Sequence, residues 1–461
     1  MDTPIRQEAP LWRLAIYAIP ATGLAMLAAP IVVFLPNFYA AEAGISLTSV
    51  GAIFFLARLW DGASDLVVGL LSDRTNWRWG RHVPWMLLAT PPLCLAAYAV
   101  CMPPPGAGPV YLLLALVSVY GAWTAVQIPY AAWGAAISSD FKVRSRVFGL
   151  REIAAVVGSI ASVLMPFAIT GTPSPPLGEV VAIVGLGAAA WIALTVPLAL
   201  AFGPAAQHEP PASAGAATSI RLLGRNGPFL RVILVTLFAT TGLMVFTAGV
   251  LFYLNLALAL SAVFLQLLLV QQVATILSVP LVFRLAARFG RHRVLSGGCG
   301  VVVLGLGGLA AAPPGGVAAT GAALILIGCG AGAVFSLVPA MAADAIDYGA
   351  LRRRGTQAGL YMSALSLMTK IATALGVGIA LPALQWRGFD PEAAIGPDGV
   401  GALREVVLFL PCGLLTIAAG LAWTHPFDRR RHDVVLARLR TLQSRQGDRG
   451  QTPGVVADTA P

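Results

Sequence analysis

Long apolar runs alternate with short polar or charged connections along the whole chain. Most of these runs reach the roughly 20 residues that one helix needs to cross the hydrocarbon core of a bilayer. Twelve of them can be placed, and they predict an all-α membrane protein with twelve transmembrane helices. The runs lie at 13–38, 46–71, 83–102, 109–137, 148–170, 178–202, 228–254, 261–285, 294–312, 317–341, 357–384 and 401–424.

One connection is longer and more polar than the others. Residues 203–227 are rich in Pro, Ala and Gly, and they divide the runs into two sets of six. We therefore predict an N-terminal six-helix bundle (1–202), a cytoplasmic central loop (203–227), a C-terminal six-helix bundle (228–424) and a cytoplasmic tail (425–461). Paired bundles are typical of proteins that rock one half against the other around a site at mid-membrane. A short echo, WGRHV (79–83) against FGRHR (289–293), fits such a repeat.

The charge pattern indicates membrane topology rather than nucleic-acid binding. The net charge is +10, but only 11% of the residues are charged, and the arginines form short clusters without a continuous basic face. These clusters follow every even-numbered run, whereas alternate connections such as 102–109 carry no charge. Because Lys and Arg in short loops stay on the cytoplasmic side, both termini are predicted to be cytoplasmic.

The sequence offers no constellation for enzyme chemistry. The five cysteines lie inside apolar runs without metal-ligand spacing. The five histidines are all placed in predicted loops: His82, His208, His292, His425 and His432. We therefore predict that the chain is not an enzyme and needs no cofactor.

Ionisable residues inside the second run are the strongest functional signal. Arg58, Asp61 and Asp65 are spaced i, i+3 and i+7, which places them on one face of a helix. A charge at the centre of a membrane helix costs about 2.5 to 3.5 kcal/mol, so such residues line cavities or pair. Two acids and one base leave net negative charge, and with Ser64 they offer hard oxygen ligands suited to Na⁺ or H⁺. The alternative is that Arg58 and Asp61 only brace the bundle.

Two further polar residues bear on this cluster. Lys370 is one of two lysines in the chain and lies within the eleventh run. Its ammonium is predicted to bias the acidic site when the coupling cation is absent, because opposite charges within a few ångströms favour both charged forms. The alternative for Lys370 is snorkelling towards an interface. Thr124, in the fourth run, can add a hydroxyl ligand, although a threonine in a span more often bonds its own backbone.

At these residues the chain resembles the glycoside–pentoside–hexuronide:cation symporter family, in which melibiose permease is the familiar member, within the major facilitator superfamily. The matching segments are ARLWDGASD (57–65), SDRTNWRWGRHVPW (72–85), IPY (128–130), MAADAIDYGALRRRGTQAG (341–359) and HPFDRRRHDVVLARL (425–439). They occur in both halves and in the family's order. The resemblance implies the major facilitator fold, with two six-helix bundles.

The resemblance also implies roles for individual residues. The cation site would consist of Asp61, Ser64, Asp65 and Thr124, with any Na⁺ held at Asp61 and Asp65 and with Arg58 and Lys370 as the coupling network. Melibiose permease has an asparagine where this chain has Ser64, which leaves Na⁺ and H⁺ both open as coupling ions. The two carboxylates that hold a galactoside in that permease align with Ala25 and Gln127, so the acidic sugar clamp is absent. The remaining solute candidates are Trp123, Tyr17 and Arg151, and the predicted gating latch is Asp73, Arg74 and Arg81.

The resulting hypothesis is a secondary active transporter that couples Na⁺ or H⁺ to a sugar, glycoside or glucuronide-like solute by alternating access. Its partners are then a small-molecule solute and the lipid bilayer, with no nucleic acid, and we expect a monomer in a bacterial inner membrane. The nearest alternative is a cation-coupled transporter of lysophospholipids or other amphiphiles. A further alternative is a sensor or uniporter without coupling.

Overall fold

Twelve long helical segments make up the described part of the chain, and that part contains no β-strand. The computed structural model describes residues 10–75, 77, 80, 82–137, 141–172, 175–205, 226–353, 358–391 and 396–424. The segments are α1 (Leu11–Ala41), α2 (Leu47–Arg74), α3 (Val83–Cys101), α4 (Pro109–Ala136), α5 (Phe141–Thr170), α6 (Leu177–Phe202), α7 (Gly227–Ala257), α8 (Ser261–Phe289), α9 (Arg291–Ala311), α10 (Val317–Arg353), α11 (Ala358–Trp386) and α12 (Pro397–Trp423).

Eleven of the described segments are long and apolar enough to cross a membrane. The twelfth is α2, which carries Arg58, Asp61 and Asp65. The predicted all-α membrane architecture is thus confirmed, and the segment that departs from it in composition is the one that carries three charged residues of the predicted cation site and coupling network. Two predicted boundaries were too tight: α5 begins at Phe141 and α10 continues to Arg353. Both extensions contain Arg or Lys, which are good helix formers outside the bilayer.

Prolines interrupt α1 at two places. The first α-helical piece ends at Ala18, and Pro20 opens the next one. Pro30 then begins a π-helical turn, Pro30–Phe34. A proline removes a helical hydrogen bond and its ring crowds the preceding turn, so the backbone there either breaks or takes up an extra residue.

The two Gly-Arg-His turns that echo each other in sequence also share a backbone conformation. Gly80 has φ +89° and Gly290 has φ +91°, a region that favours glycine because other residues meet a steric penalty there. The histidine that follows is buried in both turns, with His82 6% and His292 7% exposed. His292 was predicted to lie in a loop, which is wrong: it lies in the first turn of α9. Gly290, with its positive φ, lies between the end of α8 at Phe289 and the start of α9 at Arg291.

Helices α2 and α11 pack side by side in opposite directions. Near the start of α2, the backbone N–H of Thr48 donates to Gln385 Oε1 at 2.7 Å. Further along, a Cβ added at Gly51 would lie 2.7 Å from Pro382 Cδ, because the backbones approach so closely there. This contact joins helices from the two predicted bundles, as do the contacts of α5 with α8 and of α1 with α7.

Candidate functional site

The centre of the α2 and α11 interface holds a cluster of ion pairs. Lys370 Nζ on α11 lies 2.9 Å from Asp61 Oδ1 and 2.5 Å from Asp65 Oδ2 on α2. It also donates to the main-chain oxygen of Asp61 at 3.4 Å. The two carboxylates meet one ammonium because Asp61 and Asp65 are about one helical turn apart on the same face. Residues separated by 309 positions in sequence therefore form one site.

Helix α4 adds two hydroxyl contacts to the carboxylates. Thr124 Oγ1 is 3.0 Å from Asp65 Oδ1 and 3.3 Å from Asp61 Oδ1, so it bridges the two acids. Ser64 Oγ donates to the main-chain oxygen of Asp61 at 3.0 Å and lies 3.2 Å from Thr124 Oγ1. The four residues predicted to hold the cation are thus brought together, and they present carboxylate and hydroxyl oxygens.

Arg58 flanks the cluster and is held in place by an aromatic ring. Its Nη1 lies 3.3 Å from Asp61 Oδ2. Its guanidinium carbon lies 4.6 Å from the centre of the Tyr120 ring, at cation–π distance. Tyr120 was not among the predicted site residues. The signal that could have found it is its position one turn before Thr124 on the same face of α4.

Burial makes these contacts electrostatically important. The Asp61 side chain is 3% exposed, whereas the side chains of Asp65, Lys370 and Arg58 are 24%, 22% and 19% exposed. Two acids and two bases balance, so the excess negative charge counted on α2 is neutralised from α11. A charge that left this site would leave an uncompensated partner in a medium of low dielectric constant. Asp65 and Lys370 form the more accessible side of the cluster. Among the described residues, no three His, Cys, Asp or Glu side chains are grouped as potential metal ligands.

Tyr17, one of the aromatic residues proposed for solute binding, is closed off in this conformation. Tyr17 is fully buried, and its hydroxyl donates to the Tyr130 main-chain oxygen at 3.1 Å. In return the Tyr130 hydroxyl donates to the Tyr17 main-chain oxygen at 2.6 Å. The ring of Trp133 packs edge-on against Tyr17 at 4.9 Å. This aromatic cluster ties α1 to α4 and leaves Tyr17 no surface for a solute.

The other solute candidates are partly open. Arg151 on α5 lies beside the Tyr130 ring, with its guanidinium carbon 5.8 Å from the ring centre. Ala25, Trp123 and Gln127 are half-buried on α1 and α4. Within the described part of the chain, no hydrogen bond or ring contact joins these three to one another. Their assignment to the solute stays a prediction.

The predicted latch falls largely outside the described residues. Asp73 and Arg74 end α2, but their side chains are not among those that the structure describes. Arg81 and the predicted tail 425–461 also lie outside the described residues. The echo of Arg81 in the second half is Arg291, which forms an ion pair with Asp344 on α10. Arg291 also donates to the Ala340 main-chain oxygen at 3.2 Å.

Comparison with known proteins places this architecture. A family model described as MFS/sugar transport protein matches residues 16–429. The chain belongs to this family. Among curated relatives, the glucuronide carrier protein homolog of Escherichia coli is 26% identical, covering 87% of this chain and 90% of that protein. The isoprimeverose transporter of Lactiplantibacillus pentosus is 23% identical over 84% of this chain and 83% of that protein.

A second group of relatives carries a different solute in its name. The sodium-dependent lysophosphatidylcholine symporter 1-A of Danio rerio is 22% identical, covering 94% of this chain and 88% of that protein. Among solved structures, the nucleoside transporter NupG superposes with a TM-score of 0.67 at 12% identity, covering 90% of this chain and 99% of that one. The resemblance to glycoside–pentoside–hexuronide:cation symporters is confirmed. This member of the sugar transport family is an integral membrane transporter and not an enzyme.

Proposed function

We propose that this protein is a cation-coupled symporter in which Na⁺ or H⁺ competes with Lys370 for Asp61 and Asp65. The observation that carries the proposal is the contact of one ammonium with both carboxylates, at 2.9 and 2.5 Å. Lys370 belongs to the second predicted bundle and the acids to the first. A cation that displaces Lys370 therefore weakens a contact between the two halves.

Displacement of Lys370 links the cation to the movement of the halves. With the site empty, the ammonium neutralises the acids and holds α11 against α2. Na⁺ would replace it among the oxygens of Asp61, Asp65, Thr124 and Ser64, whereas H⁺ would neutralise a carboxylate directly. Either event frees the interface for the alternating movement. Coupling then needs only a reciprocal binding free energy between cation and solute sites, typically about 1 to 3 kcal/mol.

For the solute, we propose a neutral or acidic sugar derivative such as a glycoside, pentoside or glucuronide. The printed names of the Escherichia coli and Lactiplantibacillus pentosus relatives support this class. Gln127 can donate to and accept from a sugar hydroxyl, and Arg151 offers a cation to a carboxylate. We place the protein in a bacterial inner membrane with both termini cytoplasmic, following the arginine clusters.

A lysophospholipid is the second candidate solute. It is favoured by the Danio rerio relative, which aligns with 94% of this chain. The absence of acidic groups at Ala25 and Gln127 also fits a solute without a galactoside-like ring of hydroxyls. The cation mechanism is the same for both solutes, so the identity of the solute can be tested separately.

The test is uptake into proteoliposomes under imposed Na⁺ or H⁺ gradients, with radiolabelled glucuronide, xyloside and lysophosphatidylcholine offered in turn. Wild type is compared with Asp65→Asn, which keeps the shape but removes one charge from the site. The matched control is Asp398→Asn, an exposed carboxylate in the first turn of α12. We expect one solute class to accumulate in wild type and in the control, and Asp65→Asn to lose accumulation while keeping downhill exchange. Accumulation that survives Asp65→Asn under both gradients would contradict the proposal.

A further inference from the structure

A long apolar groove runs along the outer face of the second half, away from the ion-pair cluster. It has a volume of about 1010 Å³ and lies between α8, α9 and α10, with Trp423 of α12 at one end. Along α8 its lining extends from Leu269 to Phe289, a rise of about 30 Å at about 1.5 Å per residue. The groove is therefore longer than the half of the hydrocarbon core that one leaflet occupies, since the whole core is about 30 Å thick.

The groove is built by small residues between large ones. Gly297, Gly298 and Ala333 are among its lining, whereas Leu277 and Leu281 are 70% and 55% exposed along its rim. A hydrocarbon chain in such a channel would be contacted on several sides, whereas a chain on a flat helix face is contacted on one. Dispersion contacts are individually weak but add up. A hydrocarbon chain therefore stays in this groove for a longer time than it stays beside any one neighbour in the bulk lipid.

The charge lies at one end only. Arg293 is the charged residue of the lining, and it stands at the same end as Phe289 and Trp423. Arg288 directly precedes Phe289 in sequence, and its guanidinium carbon lies 5.3 Å from the centre of the Phe289 ring. In the described part of the chain neither arginine forms an ion pair, in contrast to Arg291, which pairs with Asp344. This end follows an even-numbered span, which the arginine pattern assigns to the cytoplasmic side.

We propose that the groove binds one anionic glycerophospholipid of the cytoplasmic leaflet, with its phosphate at Arg293 and an acyl chain along α8. Basic pockets between transmembrane helices on the cytoplasmic side recognise anionic headgroups, and arginine pairs with phosphate through two parallel donors. Phe289 and Trp423 lie where aromatic side chains favour the headgroup level. The lipid is a resident ligand of the outer face, distinct from any transported solute.

The experiment is native mass spectrometry of the full chain from nanodiscs that contain equal amounts of phosphatidylglycerol and phosphatidylcholine. Arg293→Gln removes the phosphate partner, and Arg284→Gln removes a charge from the same end of α8 outside the lining. Gly297→Leu fills the groove, and Gly300→Leu adds the same side chain to α9 outside it. A Cβ at either glycine would meet no atom within 4 Å, so both variants are compatible with the fold.

We expect wild type, Arg284→Gln and Gly300→Leu to retain one phosphatidylglycerol, and phosphatidylcholine to stay at background. Arg293→Gln should lower retention about fivefold, the effect of roughly one basic residue near an anionic surface, and Gly297→Leu should lower it at least as much. Equal retention in Arg293→Gln and wild type would overturn the proposal. So would equal binding of phosphatidylcholine, or a dimer that Gly297→Leu dissociates, because a second copy would then be the occupant.

Discussion

The cation cluster and the proposed solute residues differ in how well their side chains converge. Thr124 and Lys370 each lie within hydrogen-bonding distance of both Asp61 and Asp65. The solute candidates lie on α1, α4 and α5, and one of them, Tyr17, is fully buried in a reciprocal pair with Tyr130. Both sets were proposed from one sequence, but only the first forms a compact arrangement in this conformation.

The difference has a physical cause. A charge in a membrane helix must find a partner, so its position in the sequence strongly constrains its surroundings. An aromatic ring in a membrane helix is compatible with packing, with an interface or with a ligand, and its sequence position does not decide among them. Charged residues in a membrane helix therefore identify a site from the sequence, whereas aromatic residues there leave packing, interface and ligand roles all open.

The largest effect is expected from Asp61→Asn. Asp61 contacts both Lys370 and Arg58 and its side chain is 3% exposed, so loss of its charge disturbs the whole cluster. Concentrative uptake should disappear, with the inside-to-outside solute ratio falling to about one because cation and solute binding are no longer coupled. Proteoliposome uptake with and without an ion gradient measures this ratio.

Exchange across vesicles in the absence of a gradient serves as the control for folding. If Asp61→Asn still accumulates solute against its gradient, the cluster is a structural brace. Its compact geometry then does not distinguish it as a functional site from the solute residues. Asp398→Asn, at an exposed position, should leave accumulation unchanged.

The next effect concerns the interface that holds the cluster together. A Cβ at Gly378 would lie 3.0 Å from Phe55 Cβ, so Gly378→Leu should force α11 away from α2. Turnover should fall by about tenfold or more, because a penalty of about 1.4 kcal/mol on the closed state already changes its population tenfold. Gly69→Leu, on helix α2, is the control, since a Cβ at Gly69 would meet no atom within 4 Å.

The measurement for Gly378→Leu combines transport with alkylation of a cysteine placed at Thr48, whose backbone N–H bonds Gln385 in the closed interface. Faster labelling by a membrane-impermeant reagent should accompany slower transport. Slower transport with unchanged labelling would mean that the substitution acts elsewhere than on the closure of α2 against α11.

Lys370→Gln should separate competition from bracing. If the ammonium competes with the coupling ion, its removal lets the ion bind at lower concentration, by about tenfold for a change of 1.4 kcal/mol. That change is well below the interaction energy of two unit charges 4 Å apart, which is roughly 4 kcal/mol at an effective dielectric constant of 20. Half-maximal activation of solute exchange by Na⁺, and by H⁺, is the readout. A lower maximal rate with the same half-maximal concentration would instead assign Lys370 a bracing role.

The fold and the acidic half of the site could be predicted from the sequence more fully than the rest of the site. Twelve apolar runs sufficed for the helices, and the cost of buried charge singled out Asp61 and Asp65. That Lys370 reaches both acids could not be derived from periodicity, because the contact spans 309 positions and depends on how the halves dock. Tyr120 stood among many apolar residues of α4 and was distinguished only by its position one turn before Thr124. The groove on α8 was equally hidden, because lipid-facing and groove-lining residues are both apolar.

The smallest effects should come from the solute residues, and they test whether those residues form a site at all. Tyr17→Phe removes one buried hydrogen bond, so it should lower stability by about 1 kcal/mol and leave the KM for the solute unchanged. Gln127→Ala should raise the KM several-fold without changing half-maximal ion activation, because loss of one hydrogen bond of about 1 kcal/mol weakens solute binding by that factor. Thermal unfolding in detergent and concentration-dependent uptake measure the two quantities. A raised KM in Tyr17→Phe with unchanged stability would mean that α1 and α4 part during transport and expose Tyr17, so that the present contrast between the two sites belongs to one conformation rather than to the protein.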